Sequence, residues 1–203
     1  MAQDHFQKHD TFQGKVDWNF NLIFDDQPQV AELTKEFGQL IDHPGLYPPV
    51  PTKWLHATVL RAGVVSEFTE EEMLAVVMLL KSSLSEVEFP EFMLGHWWLW
   101  GGNVVLHIAP EDPLQKLFSL VVKTMESVVG KDRMPTPDKF IPHITLAYCR
   151  AYNEELEVYK QLSAKLIRPV SFKVTSMPLI KQSAVYGHYE WEVIDNIPLG
   201  KID

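Results

Sequence analysis

Cysteine is almost absent from this chain. Cys149 stands alone among 203 residues, so no intrachain disulfide can form, and zinc sites built on several cysteines are excluded. A reducing cytoplasm is the compartment that fits. Long apolar runs are missing too. None approaches the roughly 20 residues that span a bilayer. The opening stretch MAQDHFQKHDTFQGK has no apolar h-region of a secretory signal, and residues 1–15 read as a polar, mobile lead-in. Positive charge is scarce: 18 Lys and Arg against 27 Asp and Glu give a formal net charge of −9. Such a surface does not cling to long nucleic acid through many phosphates, although a few placed donors can still hold one small phosphate. The expectation is a cytoplasmic monomer with no DNA and no membrane as partner.

What is present is a regular alternation of strand and helix patterns. VDWNFNLIFD, Val16 to Asp25, alternates as a strand does. Val30, Leu33, Phe37, Leu40 and Ile41 recur at helical spacing. Prolines and a glycine between Pro44 and Pro51 then interrupt the chain. Thr69, with Glu72 three residues on, forms a capping-box pattern that opens a helix. EFMLGHWWLW and VVLHIAP flank Gly101, Gly102 and Asn103 as a hairpin. Asp112 and Pro113 suit the start of a helix and Gly130 its stop. Asn153 is placed to cap a last helix reaching about Leu166. Strands over Val170–Lys181 and His188–Ile197 complete the chain.

Two of the strands carry the same polar insertion, His-x-Thr: LHATV at Leu55–Val59 and PHITL at Pro142–Leu146. The histidines, His56 and His143, are 87 residues apart, and the capping positions Thr69 and Asn153 are 84 apart. Matching element order with a near-constant offset indicates a diverged internal duplication. Residues two apart share a strand face, about 6.6 Å from one another, so His56 with Thr58, and His143 with Thr145, can each touch one phosphate. Strict alternation puts Trp54 and Leu60 on the His56 face, Ala147 and Cys149 on the His143 face, and Tyr148 on the opposite one. Two imidazoles can divide general acid and base duties near neutral pH, and two hydroxyls can steady the charge on a five-coordinate phosphorus. That chemistry requires no metal and no cofactor.

The pair of motifs, with Phe140, Pro142 and Leu146 around the second and Gly63 after the first, resembles the two-histidine (2H) phosphoesterases, which include bacterial 2′-5′ RNA ligase-like proteins and cyclic phosphodiesterases. The resemblance covers about Val16 to Gly200. It implies an α+β, bilobal fold of two pseudo-twofold-related, antiparallel-type curved sheets, with helices outside and a central groove. The lobes are expected to divide at about 16–100 and 104–203 within a single domain, 16–203. His56, Thr58, His143 and Thr145 would line the groove as catalytic residues. The implied activity is hydrolysis of the 2′,3′-cyclic phosphate of a small nucleotide or short RNA end, with His143 as base and His56 as acid, the reverse remaining open.

Blander readings exist for each feature. A lone strand histidine is more often a hydrogen-bonded structural residue, and Thr favours strands for packing alone; the matched pair is what carries the signal. His96 and His107 have no Thr two residues on and read as structural or surface groups. Trp54 and Tyr148 are candidates to stack on a base, as are Tyr186 and Tyr189, although Tyr189 beside Trp191 reads better as packing. Lys53, Arg61 and Arg150 flank the motifs, and Lys53 and Arg150 join Trp54 and Tyr148 as expected substrate contacts. The alternative function is a nucleotide-binding module that keeps the groove without the chemistry, and beyond that a structural domain in which the motifs never meet.

Overall fold

The computed structural model describes residues 4–8, 14–41, 46–134, 140–150, 155–185 and 187–200. Asn153 and Tyr186 lie outside them. Among the described residues there are eight strands and five α-helices. The order is α1 (His5–Lys8), β1 (Val16–Ile23), α2 (Pro28–Ile41), β2 (His56–Val64), α3 (Glu70–Leu84), β3 (Phe92–Trp100) and β4 (Asn103–Ala109). Then follow α4 (Asp112–Val129), β5 (His143–Ala147), α5 (Glu155–Ser163), β6 (Val170–Phe172), β7 (Ser176–Val185) and β8 (His188–Pro198). All strand pairings are antiparallel.

The strands form two four-stranded sheets, ordered β2-β1-β7-β8 and β5-β4-β3-β6. Helices α3 and α4 pack on the first sheet, whereas α2 packs on the second and α5 on α2. An α+β pair of sheets with outer helices is what the resemblance implied. The division at 16–100 and 104–203 is corrected. Strands β7 and β8 come from the second half yet complete the first sheet, and β3 comes from the first half yet sits in the second. The single strand expected over Val170–Lys181 is two strands in different sheets. Residues 173–175 carry the chain from one sheet to the other.

Alternation in β1 explains how one strand serves core and groove. Trp18, Phe20 and Leu22 are fully buried on the helix side, and Trp18 Nε1 donates to the Phe68 carbonyl at 3.2 Å. Asp17 and Asn19 face the other way and line the groove between the sheets. Phe24, Phe92 and Phe172 meet edge-on or tilted, with ring centroids 5.3 and 5.8 Å apart. Each buried side chain of this size contributes about 1.5–3 kcal/mol by leaving water.

In β3 a bulge re-aims the side chains. Leu94 pairs with Ile108 and His96 with His107, leaving Gly95 as the extra residue. Its φ is +152°, and a Cβ there would lie 2.6 Å from Pro169 Cα, so only glycine fits this crossing. Phe92 and Leu94 before it are buried in the core. After it, Trp97 still meets Tyr159 of α5, while Trp98 and Trp100 turn toward His143.

The helix starts follow local chemistry. Thr69 Oγ1 accepts from the Glu72 backbone N–H, and Glu72 Oε2 accepts from that of Thr69, at 3.2 and 2.9 Å. This satisfies two donors that helix geometry leaves over. α4 begins one residue earlier than the sequence pattern indicates, with Glu111 rather than Asp112 at the cap, and Gly130 at φ +86° ends it. Thr69→Ala should lower stability by about 0.5–2 kcal/mol in urea unfolding, with the m-value unchanged.

Candidate active site

The two His-x-Thr strands pack against each other across the space between the sheets. His56, Thr58, His143 and Thr145 all line one groove of about 390 Å³, together with residues of β1, β4, β7 and β8.

Both imidazoles are held by the same device. His56 Nδ1 donates to the Trp54 carbonyl at 2.9 Å, and His143 Nδ1 to the Ile141 carbonyl at 2.6 Å. A carbonyl only accepts, so Nδ1 carries the proton in each ring. In the neutral form Nε2 is then a bare base, and in the cationic form it is an N–H acid. Aromatic edges wall each ring. Trp191 and Tyr189 lie 5.0 and 6.3 Å from His56, and Trp100 and Trp98 lie 4.8 and 6.3 Å from His143, between centroids.

These walls remove water and disfavour the cation. Burial lowers the His56 pKa to about 4, the Trp54 carbonyl opposing and His143 adding to the effect. Burial likewise lowers the His143 pKa, with the Ile141 carbonyl opposing and His107 adding.

A second matched device lies just beyond each threonine. Thr58 pairs with Asn21 and Leu60 with Phe20, so Val59 is an extra residue. Thr145 pairs with Val105 and Ala147 with Val104, so Leu146 is extra. Val59 and Leu146 are 87 residues apart, the same offset as the histidines. Each bulge inverts the alternation. Leu60, Ala147 and Cys149 are thereby buried in the core, correcting their placement on the histidine face. Arg61 and Tyr148, each five residues after its histidine, enter the groove instead.

Arg61 is the single Lys or Arg among the described lining residues. Its Nε and Nη2 both reach Asp17 Oδ2, at 3.0 and 2.9 Å. Tyr148 fits the expectation that it would join the site only through a bulge or strand end. Burial first, then Tyr189, raises its pKa well above the ordinary phenol range, and a Thr145 hydrogen bond opposes them.

Three expected contacts lie off the groove. Trp54 belongs to a 3₁₀ turn that precedes β2. It packs on Trp191 at 4.9 Å and stacks near His188 at 6.5 Å. The Lys53 ammonium rests 4.4 Å over the Trp54 ring, and Arg150 is exposed past the end of β5.

Conversely, the sequence reading missed Asp17, Asn19, Asn103, Gln182 and His5, and it assigned Tyr189 to packing. The polar alternation of β1 was the available sign for Asp17 and Asn19. The lead-in at residues 1–15 is corrected in part: residues 4–8 include a short helix that docks His5 on the Tyr148 ring, 4.4 Å between centroids.

The model of the 2′-5′ RNA ligase superfamily matches residues 22–185. The chain belongs to that superfamily. Its fold is similar to TT0787 of Thermus thermophilus, with a TM-score of 0.66 and 21% identity over 91% of this chain and 98% of that one. E. coli LigT in apo form aligns at 0.63 and 19%, covering 93% and 100% of the two chains. LigT complexed with 3′-AMP aligns at 0.66 and 21%, covering 91% and 98%. None of the curated proteins matches the chain significantly. Among the described residues, no helix is long and apolar enough to cross a membrane.

In proton NMR titrations the His56 ring should titrate near pH 4 and the His143 ring below 6.5. Adding phosphate should raise both, since a bound anion favours the imidazolium.

Proposed function

We propose that this groove hydrolyses the 2′,3′-cyclic phosphates of nucleotides or short RNA ends. The observation that carries the reading is the pair of Nδ1-tethered imidazoles, each with its threonine, around one groove. The groove volume lies near the lower end of the range for small-ligand sites and suits a mononucleotide or a strand terminus. Solved structures of LigT complexed with 3′-AMP, ATP, NADP+ and phosphate support a nucleotide as ligand.

In this reading the phosphorus sits between the two Nε2 atoms. Neutral His56 takes a proton from water as its oxygen bonds to phosphorus. The bond from phosphorus to one ribose oxygen breaks, and protonated His143 gives that oxygen its proton. Water is added across the ring, leaving a phosphomonoester. The two histidines have exchanged protonation states and reset through solvent. Thr58, Thr145 and Arg61 donate to the non-bridging oxygens. His56 is the base here because its proton is lost more readily. This reverses the assignment drawn from the resemblance.

His56→Ala and His143→Ala should each slow ring opening about 10²–10⁴-fold, measured in the presence of chelator. Turnover untouched by both substitutions would refute the reading. Nucleotide binding without turnover of any cyclic phosphate would favour the non-catalytic module.

The pH profile has a definite sign. The base must be neutral and the acid protonated, so kcat/KM should fall below the His56 pKa of about 4. It should fall again as pH rises through the lowered His143 value, placing the optimum between about 4 and 6.5. A substrate with sulfur as the leaving atom needs no proton. It should rescue His143→Ala but not His56→Ala, and the opposite pattern would restore the original roles.

A further inference from the structure

Helix α1 brings a third imidazole to the groove, and the hydrogen bonds around it run in one direction. The Cys149 backbone N–H donates to Asn103 Oδ1 at 2.7 Å. That fixes the orientation of the Asn103 amide, so its Nδ2 is the atom 3.3 Å from His5 Nδ1. An amide nitrogen only donates, so His5 Nδ1 accepts. An imidazole that accepts at Nδ1 is neutral and carries its proton on Nε2. Nε2 lies 2.9 Å from Tyr189 Oη. His5 is therefore the donor and the tyrosine oxygen the acceptor, which turns the phenol's own proton away from His5. Tyr189 lines the groove with His56, Thr58 and Arg61.

His5 is itself well anchored. Its backbone N–H donates to the Cys149 carbonyl at 2.9 Å. The neighbouring Asp4 carboxylate accepts from the Phe6 and Gln7 N–H groups and from the Tyr47 hydroxyl. Phe6 is buried among Tyr47, Tyr148 and Tyr189. Burial raises the Tyr189 pKa far above the ordinary phenol range, so the phenol keeps its proton across the working range.

We propose that Tyr189 Oη donates a hydrogen bond to a non-bridging oxygen of the bound phosphate, and that His5 is the positioning residue that aims it. Asn103 fixes His5 in turn. This rests on the proposed function for its kinetic consequence, though not for its binding consequence. It makes the N-terminal segment part of the site, and Tyr189 a donor alongside Thr58, Thr145 and Arg61.

The test pairs two positions and two readouts. Tyr189→Phe keeps the ring and removes the donor; kcat on a 2′,3′-cyclic nucleotide should fall about 10–100-fold, with KM changing less. His5→Phe should lower kcat several-fold. His5→Gln, whose amide can accept from Asn103 and donate to Tyr189, should stay within about twofold of wild type. In the Tyr189→Phe background, His5→Phe should add nothing further, as coupled residues are non-additive. The affinity for inorganic phosphate, read by calorimetry, should fall in the same order.

Tyr189→Phe kinetics and phosphate affinity both within about twofold of wild type would overturn the proposal. So would a His5→Phe loss equally large in both backgrounds. If the wild-type protein opens no cyclic phosphate, the proposed function fails and the phosphate affinities alone decide this inference.

Discussion

Everything at this site depends on two ring nitrogens being tied to two backbone carbonyls. An imidazole on an extended strand has two torsions to lose, and a useful Nε2 must point at one place. The carbonyls of Trp54 and Ile141 supply the constraint. They can do so because each histidine is the first residue of its strand. Inside a strand, carbonyls are taken up by the ladder; two residues before its start they are available to a side chain. The boundary between loop and strand is therefore part of the chemistry.

The motif strands, the capping box and the hairpin were legible because each is a local pattern. Period-2 alternation, a Thr three residues before Glu, and a Gly-Gly-Asn turn all act within a few residues. The bulges at Val59 and Leu146 were not legible. An extra residue in an apolar run leaves the run apolar, so Val59-Leu60 and Leu146-Ala147 read as ordinary strand while moving Arg61 and Tyr148 into the groove. Sheet membership was hidden for the same reason. Nothing within Val170–Lys181 states that its first residues pair with Phe92–Leu94 and its later ones with β1. His5 was illegible because a four-residue helix has no periodicity, and its partners lie 98 and 184 residues away.

The two matched motifs supply two like imidazoles, yet the proposed hydrolysis requires an acid and a base. The positions delivered by the two bulges are where the copies part. The His56 copy delivers an arginine, already paired with Asp17. The His143 copy delivers a tyrosine, packed against His5 and Tyr189. One bulge thus delivers a cation with its carboxylate, and the other a neutral phenol. The carboxylate anchors the guanidinium at the groove through the Nε and Nη2 of Arg61.

The aromatic walls set the balance between the empty groove and the occupied one. Lowering His56 from 6.5 to about 4 corresponds to about 3 kcal/mol against the imidazolium. A phosphate charge at ~4 Å with an effective dielectric of ~20 is worth about 4 kcal/mol in the opposite direction. The two are of the same order, so an anion in the groove is enough to return an imidazole to its ordinary range. The empty groove holds neutral rings at neutral pH; in the proposed reaction the bound phosphate draws a proton from solvent to one of the two. That proton settles on the ring with less to overcome, and the other stays a base. The same burial that makes the free histidines poor cations therefore makes their protonation near neutral pH favourable only where an opposite charge offsets the desolvation.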